Sequence, residues 1–89
     1  MDAAKYTNGT ADATIKTGQG TVYGIIVNSH TLGTFKLWDN TEGSGTVITN
    51  TFTLATAGSQ VVRFPAPISF YTGLFMDVGG TIDYTVIWK

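Results

Sequence analysis

Cysteine is absent from this chain of 89 residues, so no disulfide supports the fold and no thiolate metal site exists. Histidine occurs once, as His30, and a lone histidine makes a poor metal site. Charge is scarce: charged residues make up 12% and the net charge is −1, with no basic cluster to neutralise phosphates. Those features argue against nucleic acid as a partner. No run of apolar residues is long enough for a membrane-spanning helix. The start, MDAAKYTNGT, has no apolar run of the kind a secretory leader carries, so synthesis in the cytoplasm is expected. A chain this short buries a modest core and often gains stability by associating with copies of itself or a larger body.

Threonine and glycine dominate what is present, with 16 and 11 copies. Together with many Val and Ile they give poor helix propensity, and no window shows a sustained helical apolar period. Short runs of β-branched and aromatic residues recur instead, separated by Gly, Asn, Asp or Pro. Residues 1–10 are expected as a flexible arm and residues 11–89 as one β domain. Strands are expected at 11–17, 21–28, 34–39, 46–54, 60–64, 68–71, 74–78 and 81–89. The run 21–28 (TVYGIIVN) is almost continuously apolar, which predicts a central strand covered on both faces. Loops are expected at 28–33 and 39–45, turns at Gly18-Gln19-Gly20 and Ala57-Gly58-Ser59, and a tight hairpin at Gly79-Gly80. Asn8-Gly9-Thr10 fits a glycosylation pattern and is read as a turn. Pro65-Ala66-Pro67 forbids regular ladder bonding and predicts an edge or a crossing. The sum is an all-β fold without helix, an antiparallel sandwich or barrel of about eight short strands, with a jelly roll among the options.

Chemistry is hard to place. Ser29 adjoins His30, but no nucleophile frame surrounds it, so His30 is expected as a polar loop residue. Asp39 and Glu42 share a loop, and Asp77 and Asp83 flank a predicted hairpin, but acid–base work on sugars also needs a cleft. Asp39, Asn40, Thr41 and Glu42 could offer oxygens to calcium, yet they lack the helix–loop–helix calcium frame; an Asx-type turn is the expectation. Gly18-Gln19-Gly20 and Gly43-Ser44-Gly45 open no helix, so neither cradles phosphate. No catalytic residue, cofactor or metal is therefore expected. Aromatics are the better candidates. Trp38 and Phe75 fall opposite the apparent core residues of their strands, Tyr6 lies in the arm and Tyr71 near a strand end. These four are the expected partner contacts, although a loop can also wrap an outward tryptophan.

Four segments carry a resemblance: G-x-x-Y-G-I-I-V-N at 20–28, L-W-D-N at 37–40, F-x-x-G-L-F at 70–75 and D-V-G-G-T at 77–81. In these the chain resembles small virion structural proteins of tailed bacteriophages. The resemblance implies a non-enzymatic capsid decoration or cement-like protein, made in the host cytoplasm and carried in the virion. It implies the major capsid protein or another virion protein as partner, a homo-oligomer with a trimer favoured, and an arm reaching a neighbouring capsomer. The other reading of the residues is a small carbohydrate- or cell-surface-binding β module.

Overall fold

The computed structural model describes residues 3–55 and 58–89. These form six antiparallel strands: β1 (Lys5–Gly9), β2 (Ala13–Thr17), β3 (Gly20–Asp39), β4 (Thr46–Thr53), β5 (Gln60–Phe70) and β6 (Gly73–Trp88). They make one sheet in the order β1-β6-β3-β4, with β2 also on β6 and β5 also on β3. No helix occurs among the described residues.

A single six-stranded sheet thus stands where a sandwich or barrel of eight short strands was expected. The count changes because three pairs of predicted strands are each continuous. The predicted loop at 28–33 and the predicted hairpin at Gly79-Gly80 are interior to β3 and β6. There, Thr31 pairs with Thr81 and Thr34 with Gly79, so Leu32 and Gly33 oppose Gly80 alone. That is a bulge, which bends and twists both strands. Leu32 has φ 51° and Gly80 φ 70°, conformations that glycine takes freely and leucine only at a cost of about 1 kcal/mol. A Cβ on Gly80 would overlap the Leu32 carbonyl, so the backbones meet too closely for a side chain. His30, placed by the sequence in a loop, is a buried strand residue beside this bend. Its Nδ1 accepts the Gly33 N–H at 3.1 Å.

The bend divides the sheet. On one side β6 (84–88) and β3 (22–27) are flanked by β1 and β5; on the other, β6 (73–77) and β3 (34–39) are flanked by β2 and β4. The inner faces of both halves share one core. Val22, Ile25, Val27 and Val86 come from the first half, and Phe35, Leu37, Leu74 and Met76 from the second. Each such side chain contributes about 1.5–3 kcal/mol relative to exposure. The alternation expected at 34–39, 74–78 and 81–89 is present: Phe35, Leu37, Leu74, Met76, Ile82, Tyr84 and Val86 are buried inward, and Val78 and Trp88 pack against them.

Residues 5–9, expected within a flexible arm, instead pair with β6 from Lys5↔Trp88 to Gly9↔Tyr84. Thr85 Oγ1 donates to Asn8 Oδ1 at 2.6 Å, and Trp88 Nε1 donates to Thr7 Oγ1 at 2.9 Å. Asn8-Gly9-Thr10 therefore spans the end of a strand and the bend after it. Pro65-Ala66-Pro67 lies in β5, an edge strand as expected: the ladder to β3 passes from Val22↔Ile68 to Gly24↔Arg63 without pairing 64–67. Of the turn expected at 57–59, Ala57 lies outside the described residues, as do Met1 and Asp2 of the arm.

Candidate binding surface

The outer face of the β2/β4 half carries Trp38 and Phe75 side by side, since they are register partners on β3 and β6. Both are half-buried. The 40–45 connection folds over them, and a Cβ on Gly43 would stand 3.4 Å from Phe75 Cε1 and 3.7 Å from Trp38 Nε1. Trp38 Nε1 donates to Asp77 Oδ2 at 3.2 Å, and the Lys36 ammonium stands 4.3 Å from the Trp38 ring centroid. Thr14 Oγ1 fastens the covering loop by donating to the Thr41 carbonyl at 2.8 Å.

The same loop accounts for its own polar atoms. Asn40 Nδ2 donates to the Ser44 carbonyl and Asn40 Oδ1 accepts the Thr41 N–H, both at 2.8 Å. Ser44 Oγ donates to Glu42 Oε1 at 3.2 Å. Asp39 is turned away from them: its carboxylate accepts the backbone N–H groups of Tyr71, Thr72 and Gly73, the shortest at 2.8 Å. The calcium alternative thus loses its first ligand to the β5–β6 turn. Among the described residues no three His, Asp or Glu side chains converge as a metal-holding group. The carboxylates Asp77 and Asp83 sit on opposite sides of the bend, so they form no local pair.

The outer face of the other half has no such lid. β1, β6, β3 and β5 present Tyr6, Ile87, Tyr23, Ile26 and Val61 there, with Tyr6 68% and Val61 62% exposed. A groove of about 400 Å³ runs along β3 and β5 between Tyr23, Ile26, Ile87 and the 64–67 excursion, with Arg63 on its lining. Gly24 lets β5 approach closely, since a Cβ there would lie 2.6 Å from the Val62 carbonyl oxygen. Beyond the apolar part the face turns polar: Asn28 Nδ2 donates to Asp83 Oδ1 at 3.1 Å and to Thr85 Oγ1 at 3.2 Å. An apolar patch with a polar border is the composition of a contact surface.

Of the four predicted contact residues, Trp38 and Phe75 meet under the loop, Tyr6 joins the bare face, and Tyr71 stands apart at the β5–β6 turn, 73% exposed. Sequence reasoning missed Tyr23, Ile26, Val61 and Ile87. Its error was to expect the strand at 21–28 to be covered on both faces. The strand is central, lying between β5 and β6; Val22, Ile25 and Val27 on its inner side are buried, while Tyr23 and Ile26 on its outer side are half-buried beside an open groove. The signal was available in Ile87, an isoleucine on the outward side of an alternating strand. No protein-family model matches the chain, and no curated protein or solved structure does either.

Proposed function

We propose that the chain is a structural assembly module without catalysis, a capsid decoration or cement-like protein of a phage virion that self-associates and binds the capsid surface. The observation that carries the assembly reading is the bare apolar face around Ile26, Ile87 and Tyr6. A monomer that keeps such a face wet forgoes roughly 25 cal/mol for each Å² it could bury. The phage assignment rests on the resemblance at 20–28, 37–40, 70–75 and 77–81. In that reading the bent sheet, with one core shared by both halves, serves as the compact β-rich body that the resemblance implies. Mass spectrometry of gradient-purified particles from a lysate that expresses the chain tests it. The chain is expected in many copies per particle, and Ile26→Asp is expected to lower that number while circular dichroism stays unchanged. Recovery of the chain only in the particle-free fraction sinks the virion assignment.

A carbohydrate-binding reading has one observation in its favour, the exposed Tyr71 ring beside the Asp39-capped turn. Trp38 gives it no support, because Lys36 and the 40–45 loop occupy its surroundings. A glycan array with wild type and Tyr71→Ala separates the readings: sugar binding lost on substitution favours a lectin-like module.

A further inference from the structure

The bare face is complementary to itself. Its side-chain rows follow from the register. Tyr6, Ile87, Gly24 and Arg63 share one row; Asn8, Thr85, Ile26 and Val61 share the next on that face. Asp83 begins the row after, on β6. Strands lie about 4.8 Å apart, and residues two apart on a strand lie about 6.6 Å apart. Arg63 and Asp83 are thus two strands and four residues apart, at opposite corners, and Ile26 stands at the middle of the line joining them. Arg63 has no ion-pair or hydrogen-bond partner among the described residues, and Asp83 accepts a bond from Asn28.

From this arrangement we infer that the face docks on a second copy of the same chain, through a two-fold axis that lies in the face and passes Ile26. This rests on the self-association in the reading above and specifies its geometry. A two-fold axis perpendicular to the Arg63–Asp83 line sets Arg63 of each copy against Asp83 of the other, so both pairs form at once. The same axis runs past Tyr6, so the exposed tyrosines of the two copies meet, and Ile26 meets its own copy. Such reciprocity is the signature of an isologous interface, in which one patch must complement itself. Charge pairs at the corners fix register and exclude other alignments, while the apolar centre supplies the driving force. The trimer implied by the resemblance needs a different contact, since a two-fold patch closes at two copies.

Sedimentation equilibrium on the full chain tests the pairing. Wild type is expected as a dimer. Arg63→Asp and Asp83→Arg each place like charges at both corners and are expected to weaken the dimer by about ten-fold or more. The double variant Arg63→Asp/Asp83→Arg restores opposite charges and is expected to return within about three-fold of wild type. Circular dichroism checks that all three keep their strands. A wild-type monomer or trimer overturns the inference, and so does a double variant as weak as the singles. Particle occupancy is read separately: a chain present on virions but insensitive to these charge reversals leaves the virion reading standing and removes the two-fold contact.

Discussion

The two halves of the sheet have outer faces of similar raw material and opposite fates. Trp38 and Phe75 on one side, and Tyr23, Ile26 and Ile87 on the other, all sit on strands whose inner faces fill the core. Over the first pair the chain folds its own 40–45 connection, with Gly43 close enough to touch the ring edges and Thr14 tying the loop down. Beside the second set the 64–67 excursion of β5 walls an open groove, in which Tyr23, Ile26 and Ile87 are half-buried. An aromatic residue on the outward side of a strand is therefore a poor guide to a partner when a glycine-rich connection follows it. Trp38 is held by the fold's own loop, and Ile26 belongs to the face we propose for docking.

The difference can be tested from its strongest handle downward. Gly80→Val attacks the bend that separates the faces, combining a positive φ with overlap on the Leu32 carbonyl. A loss of about 3 kcal/mol or more in urea unfolding is expected, and an effect below 1 kcal/mol means the bend relaxes easily. Trp38→Ala removes the half-buried ring and its bond to Asp77, and is expected to cost about 2 kcal/mol. Its counterpart Ile26→Ser, at a half-buried side chain open to the groove, should cost less, about 1 kcal/mol for a dilute monomer, while weakening self-association. Equal losses at the two sites would erase the distinction between the covered and bare faces. Asp39→Asn keeps the shape but removes the charge that receives three N–H groups, and about 1 kcal/mol of stability should go with it.

The last expected effect concerns pH. Tyr84 is buried, and its hydroxyl donates to the Ala11 carbonyl at 2.6 Å. Burial first, and the Asp12 carboxylate second, hold its phenol above the ordinary value of 10.0. The folded state therefore keeps its proton longer than the unfolded state. The resulting stability is fully present below pH 10.0 and is lost as pH rises through and beyond that value. Tyr84→Phe should flatten this alkaline decline at the expense of about 1 kcal/mol at neutral pH, measured by urea titrations across the alkaline range. An unchanged alkaline slope in Tyr84→Phe assigns the decline to other groups.

The legible parts of the molecule were those where side-chain alternation alone decides the outcome. Phe35 and Leu37, Leu74 and Met76, and Ile82, Tyr84 and Val86 could be placed inward because a period of two leaves no other choice for a half-buried strand. The 40–45 loop, with Asp, Asn, Ser and two glycines around it, was equally plain. The failures cluster at glycines. Gly33 and Gly79-Gly80 look like chain reversals, because local sequence signals φ freedom without saying whether the chain turns back or only bends. The choice is made by the neighbouring strand: a bulge in β3 has its counterpart in β6, residues far away in sequence. β1 was missed for a related reason, since KYTNG has no apolar rhythm and is a strand only because β6 offers an edge. The bare face was half visible. Ile87 could be seen pointing outward, but whether a loop reaches it is a question of connection length and path, which composition does not encode.

The shared bulge at Leu32-Gly33 and Gly80 has a consequence for how the molecule comes apart. β3 and β6 run unbroken through it, so the two halves are hinged by continuous backbone ladders and not by a linker. Melting of one half strips the apolar cover from the other half's share of the common core. Amide exchange should accordingly show one slow class spanning both ends of β3 and β6, with the edge strands β1 and β4 opening faster.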